Sequence, residues 1–300
     1  MGLVKFSQSG LLANPTAQAF DSAHSLAFHH GLGAPLVPAP SVPMNKYVDA
    51  EGIAAFAQGA YSKSSIGVVA SGASVSNLSK WVGEFFTDTP SATVAGPFSP
   101  LASQPTKYFG GEERISSQAG NAVVIAFPGS SFFGSTASYK PEFAVLAALF
   151  GGESSIKWSN GSSLLSKVAE ANPQAQVSTK HVAYSDAGLL YITVTGKAEA
   201  VGAASKSVVD TIKEVAAGKF TSEDIKKAIA LAKFRALEAG QNIGSGLELT
   251  ATGLIHHGKP YHVTEVGQSF DKVTEQQVKT VCFYLILSSS LLFIFLESMD

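Results

Sequence analysis

Apolar residues fall at three- and four-residue spacing over several stretches of the chain, and most of these stretches open on a helix-capping signal. Asn14-Pro15 sets a good N-cap beside a proline suited to the first helical turn, and Gly31 stands where a helix-ending glycine belongs. The helix between them would bury Ala17, Phe20, Ala23 and Ala27. Pro35, Pro38, Pro40 and Pro43 then force an extended loop, because each lacks an amide donor and restricts the residue before it. A second helix is expected from Asp49 to Tyr61, burying Ile53, Phe56, Ala57 and Ala60. Ile66-Gly67-Val68-Val69-Ala70 reads as a short buried strand, and Ser74 caps a helix carrying Leu78, Trp81, Val82 and Phe85 on one face.

Residues 88–106 hold Asp88, Pro90, Pro97, Pro100 and Pro105 among serines and alanines, the composition of an interdomain linker. Beyond it the period changes. Glu112 to Gln118 and Ala122 to Phe127 read as strands, Pro141 to Phe150 as a helix stopped by Gly151-Gly152, and Ser163 to Ala171 as another closed by Pro173. Ala175 to Tyr184 and Gly188 to Thr195 form a hairpin turning at Ser185-Asp186-Ala187. Helices follow over Ala198 to Ala217, from a Thr221/Asp224 capping box through Ile225, Ala228, Ile229 and Ala232 to Gly240, and over Gly246 to Gly258. A further one begins at Glu275 to Thr280.

The expected fold class is α+β, an antiparallel-rich sheet with helices on one face. The second segment carries nearly a whole domain, whereas the first has one strand, too few for a sheet. The expected division is residues 1–88 as the C-terminal part of a first half, 89–106 as linker, 107–280 as a second half and 281–300 as an atypical hydrophobic tail.

Length and composition change the picture little. Three hundred residues suit about two domains, 45% are hydrophobic, and a net charge of -2 leaves no electrostatic footprint for nucleic acid. Charged residues are 15% of the chain, which suits either a subunit that hides much of its surface or a plain fold rich in small residues. Cys282 is the only cysteine, which excludes a disulfide framework, a cysteine-held zinc site and an iron–sulfur cluster. Met1-Gly2-Leu3-Val4-Lys5 is neither a secretory nor a transit signal, as expected of a chain that begins internally.

Candidate chemistry is sparse. His262-Val263-Thr264-Glu265 approaches an inverted zinc motif, but Val266 stands where the second histidine is needed. His29-His30 and His256-His257 are adjacent on expected helix ends, so each pair projects about 100° apart and is badly placed to hold one ion. Gly129-Ser130-Ser131-Phe132-Phe133 fails as a nucleophile elbow at its last position. Gly110-Gly111 and Gly151-Gly152 match no phosphate-binding fingerprint. Lys226, Lys227, Lys233 and Arg235 share a helix with Glu223, Asp224 and Glu238, the pattern of a solvated face. Asn77-Leu78-Ser79 and Asn160-Gly161-Ser162 are chance sequons in a chain with no secretory signal. Catalytic, cofactor-binding and metal residues are therefore none.

Tyr108-Phe109-Gly110-Gly111-Glu112-Glu113-Arg114 and Ala183-Tyr184-Ser185-Asp186-Ala187-Gly188-Leu189 carry a resemblance. In this order and context they resemble the M16 (LuxS/MPP-like) metallopeptidase-like family, in its non-catalytic core-subunit branch of the mitochondrial bc1 complex, fungal type. The resemblance runs from about Leu11 to Thr280. It implies a structural and assembly role without cofactors, on the matrix side of the inner membrane, with a partner core subunit and other bc1 subunits as neighbours and peripheral membrane association through them. It also implies that the zinc-bearing front of an active relative is not in this sequence. In the processing-peptidase α subunit, a relative, a glycine-rich loop near Gly151-Gly152 handles substrate. Here Glu153 to Ser163 has one further glycine, Gly161, with Lys157 and Trp158, which argues against that role.

Val281 to Leu296 is uncharged and would span roughly 24 Å as a helix, short of the ~30 Å of a bilayer core. Relatives continue past Thr280 with a strand and a final helix, so the expectation is a misread end that leaves the second half without its last strand, with a tail anchor or a buried apolar helix as the alternatives for this stretch. Two other readings stay open: an M16 zinc peptidase or processing-peptidase α-type subunit, and a tail-anchored membrane protein.

Overall fold

The computed structural model describes residues 2–38, 48–63, 66–91, 105–134, 139–152, 161–287 and 292–298. Its helices are α1 (Gly2–Leu12), α2 (Pro15–Phe28), α3 (Ala50–Ala60), α4 (Val75–Phe85), α5 (Glu142–Phe150), α6 (Leu164–Ala171), α7 (Ala198–Ala216), α8 (Ser222–Gln241), α9 (Ile243–His257), α10 (Val263–Phe270) and α11 (Glu275–Leu287). The strands are β1 (Gly111–Ser117), β2 (Asn121–Pro128), β3 (Ala175–Ala183), β4 (Gly188–Gly196) and β5 (Leu292–Ser298). The chain divides into two compact units. Met1–Pro40, Pro105–Arg235 and Gly267–Asp300 form the first, and Ser41–Gln104 with Ala236–Val266 the second. These boundaries differ from the expected ones at 88 and 107, and residues 92–104 of the expected linker lie outside the described residues.

The first unit is built on a five-stranded sheet in the order β1-β5-β2-β4-β3. β1 and β5 are parallel, and the other neighbours antiparallel. β2 and β4 are apolar at nearly every position and buried along most of their length, so both faces of the sheet centre must be covered. On one face lies α2, whose Ala19, Ala23 and Ala27 let its backbone come close to Ala122, Val124 and Ala126. The alternate residues Val123, Ile125 and Phe127 point to the other face. There α7 packs on β2 and β4, and α5 and α6 on β3. The buried stripe of α7, Val201, Ala204, Val208, Ile212 and Val215, has the three- and four-residue spacing of an amphipathic helix. Helix α11 lies on α5 and α7. The capping box before α8 forms as expected: Thr221 N donates to Asp224 Oδ2 at 2.9 Å and Asp224 N to Thr221 Oγ1 at 3.2 Å.

The tail is corrected by the structure. Helix α11 runs through Thr280 to Leu287, and the chain then returns as β5 between β1 and β2. The stretch expected to be a misread end therefore contributes a strand to the sheet. Leu292, Ile294 and Leu296 alternate with Phe293 and Phe295, and the first three are buried against α2. Among the described residues no helix is long and apolar enough to cross a membrane.

In the second unit α3 and α4 form: Ser74 caps α4 as expected, its Oγ accepting from Asn77 N at 3.3 Å, and Asp49, expected as the first residue of α3, is its cap, Oδ1 accepting from Gly52 N at 2.7 Å. Two expectations fail there. Residues 66–70 form no strand, because among the described residues of this unit there is no other strand to take up their amides and carbonyls. The apolar stripes are also uncovered: Ile53 and Phe56 on α3 are 58% and 47% exposed, and Trp81 and Phe85 on α4 are 52% and 76% exposed.

Candidate functional site

The turn after β2 places Ser130 beside His181 of β3, a serine and a histidine in contact. Two glycines make it possible. A Cβ at Gly188 would lie 2.0 Å from Ser130 O, and one at Gly129 would lie 2.7 Å from Leu189 N. Backbone bonds Gly129 N to Gly188 O (2.8 Å) and Phe132 N to Tyr184 O (2.9 Å) clamp the turn onto the β3–β4 hairpin. The chemistry stops there. His181 Nε2 lies 3.0 Å from Ser130 N and 3.1 Å from Ser130 O, so it meets the backbone in either tautomer. Ser130 Oγ donates to Ser131 O at 2.9 Å and accepts from Lys140 N at 2.6 Å. Burial lowers the His181 pKa to about 4, which leaves a poor base for a hydroxyl. This pair fixes a turn.

The two informative strings meet around α2. Thr106 N and Oγ1 donate to Asp186 at 2.8 and 3.1 Å, which holds the segment before β1 to the β3–β4 turn. Tyr108 and Tyr184 then stand edge-on to Phe28, at 6.1 and 6.4 Å. Tyr108 donates its hydroxyl to Ala126 O at 3.2 Å. His24 sits in the same box, Nδ1 2.9 Å from Phe20 O and Nε2 2.5 Å from the Tyr184 hydroxyl. Burial lowers the His24 pKa, against the raising effects of the Phe20 carbonyl and Asp21, and burial raises those of Tyr108 and Tyr184. The box docks a helix on a sheet. Sequence reasoning quoted both strings without seeing that they share a helix, since neither has a pattern that names its partner.

The other candidates are dispersed. His29 stacks on Phe109 at 4.2 Å beyond the end of α2. The rings of His256 and His257 lie 6.5 Å apart at the end of α9. His262 Nδ1 contacts Thr264 Oγ1 at 2.7 Å and accepts from Thr264 N at 3.3 Å, so it serves the start of α10. Of the basic cluster, Lys227 pairs with Glu223 at 2.9 Å and Lys233 with Asp271 at 2.7 Å. Cys282 is buried, and burial raises its thiol to about 12. Among the described residues no group of three or more His, Cys, Asp or Glu is placed to hold a metal ion. A cleft of about 270 Å³ in the second unit, lined by Ser71, Gln241, Thr250, Tyr261 and His262 among others, carries no carboxylate or amine. Lys157, Trp158 and Asn160 lie outside the described residues.

Residues 47–231 match the family described as Peptidase M16 inactive domain. The chain belongs to that family. Within it, the chain is 45% identical over 270 residues to cytochrome b-c1 complex subunit 2, mitochondrial, of Neurospora crassa, covering 90% of this chain and 58% of that protein. It is 33% identical over 229 residues to the subunit of the same name from Cryptococcus neoformans, covering 74% and 49%. A mitochondrial-processing peptidase subunit alpha-2 of Dictyostelium discoideum is 25% identical over 268 residues. In fold, the M16 chain is similar to a chain of Complex III2 from Candida albicans, Inz-5 bound, with a TM-score of 0.75 and 14% identity, over 99% of this chain and 70% of that one. The chain thus spans about half the length of the relatives it matches. The α+β, M16-type fold read from the sequence is the one observed, but helices cover both faces of the sheet and not one as expected, because β2 and β4 are apolar on both sides.

Proposed function

We propose that this chain is, or is part of, a non-catalytic core subunit of the core protein 2 type in the mitochondrial ubiquinol–cytochrome c reductase. It would stand on the matrix side of the inner membrane, with core protein 1 and other subunits of the complex as partners. The observation that carries this is the 45% identity over 270 residues to the Neurospora subunit. The residues agree with it: the Ser130–His181 pair holds a turn, and the exposed apolar stripes of α3 and α4 are of the kind that subunits bury against neighbours. A processing-peptidase role is favoured less, by a relative from Dictyostelium at 25% identity.

The test is depletion of the chain in cells that make it, read by the reduced-minus-oxidised bands of cytochromes b and c1 in isolated mitochondria. Both bands should fall with the complex and return when the chain is supplied again. Unchanged bands on depletion would overturn the proposal.

A further inference from the structure

β1 and β2 are neighbours in sequence, separated by Gln118, Ala119 and Gly120. A connection that short ordinarily closes a hairpin between the strands it joins. Here β5 is seated between them, parallel to β1 and antiparallel to β2. Across the three strands Ile115, Leu296 and Ala122 stand in one row. Glu113, Ile294 and Val124 form the next, and Gly111, Leu292 and Ala126 a third.

These rows have a consequence. If β5 were taken out and β1 moved sideways by one strand spacing, Ile115 would face Ala122 and Ser117 would face Gly120. That is the register of a hairpin turning on the two residues Gln118-Ala119. Direct pairing in this register keeps every side chain on its present face, whereas a slip of one residue would turn Ile115 away from α2. Ile115 packs against the cluster under α2, and Glu113 accepts a hydrogen bond from Ser22 of α2. A sideways move of β1 by one strand spacing, ~4.8 Å, would break both contacts, and they would have to be remade in the second arrangement.

β5 is the last strand in chain order among the described residues. Only four positions separate it from α11. One of its faces is sealed against α2, while Phe293 and Phe295 on the other are half-buried, with Arg114 over Phe295 at 5.0 Å. Among the described residues β1 pairs with β5 alone.

We propose that β5 is a removable wedge. The sheet has a second arrangement, β1-β2-β4-β3, in which β1 and β2 zip directly into a hairpin and residues 292–298 are released as an extended arm. The wedged arrangement is the major one, since Leu292, Ile294 and Leu296 are buried only there. In the released arm the same three residues present an apolar row ready to pair with another strand edge.

The test is disulfide trapping in the full chain carrying Cys282→Ser, Ser116→Cys and Asn121→Cys. In the closed hairpin positions 116 and 121 face each other with Cα atoms about 5 Å apart, within disulfide reach. With β5 seated they are about two strand spacings apart, ~9.5 Å, beyond the ~7 Å limit. Under mild oxidation the intramolecular disulfide should accumulate slowly. The trapped chain should exchange the amide hydrogens of Phe293 to Leu296 at least ~10-fold faster, with the β2–β4 ladder still protected. A second chain with Ser116→Cys and Glu297→Cys, neighbours across β1 and β5, should cross-link at once and keep β5 protected. The proposal is overturned if the 116–121 disulfide does not form in the folded chain. It is equally overturned if that disulfide forms only with loss of protection across β2 and β4.

Discussion

His24 on α2 and Tyr184 at the end of β3 are joined by a 2.5 Å hydrogen bond, 160 positions apart in the chain. His24 Nδ1 faces the Phe20 carbonyl, which can only accept, so Nδ1 carries a proton, and burial, which lowers the His24 pKa, favours the neutral ring. Nε2 is then the acceptor for the Tyr184 hydroxyl. The bond holds a helix from the first part of the chain on a sheet from the second.

Tyr184→Phe keeps the ring in the box and removes the donor, leaving His24 Nε2 buried without its partner. The loss should be about 1–3 kcal/mol, the usual cost of orphaning a buried polar atom. Urea unfolding followed by far-UV circular dichroism should show a lower midpoint at an unchanged slope. A midpoint equal to that of the parent would remove His24–Tyr184 from the account of how α2 is held.

A pH dependence follows from the two enclosed histidines. Burial depresses both, His181 to about 4, while in the unfolded chain a histidine titrates near 6.5. Above that value both states are neutral and no stability is lost. As pH falls from about 6.5 towards 4, the unfolded chain takes up protons that the folded one refuses, so stability falls by up to roughly 3 kcal/mol for His181. Unfolding midpoints at pH 7.5, 6 and 5 should decline in that order. His181→Gln should flatten the decline, and an identical slope in that variant would place its cause elsewhere.

Ile294 is wholly buried between β1 and β2, and Glu297 is exposed on the same strand. Ile294→Ala should cost about 2–5 kcal/mol as a large-to-small change in a packed core, and Glu297→Ala less than about 0.5 kcal/mol. Differential scanning calorimetry separates the two. Equal melting temperatures would mean that β5 contributes nothing to the sheet.

Much of the fold was legible because the signals were local. Asn14, Ser74 and Thr221 cap the helices they were expected to cap. β2, β3 and β4 lie within two residues of their expected ends, since alternation and long apolar runs are local properties too. What was missed depends on partners far away in sequence. Nothing in Leu292 to Ser298 itself says that it belongs between β1 and β2. The stripes on α3 and α4 were read correctly as apolar, but periodicity reports a face and not its cover. A segment cut from Lys107 to Thr280, the bounds of the expected second half, would lack both β5 and α2. The site reading rested on the same distinction. Ser130 and His181 are 51 positions apart and were never paired by the sequence, and once paired they hold only the backbone.

The central claim is membership in an assembled respiratory complex, and its most direct measurement is co-migration. Mitochondria from cells that make an epitope-tagged form of the full chain would be solubilised in digitonin and separated on a blue-native gel. The account predicts that the tag runs with cytochrome b at the size of the intact bc1 complex and is recovered with it in equal amount. A tag that runs as free chain, or in an assembly without cytochrome b, would contradict it.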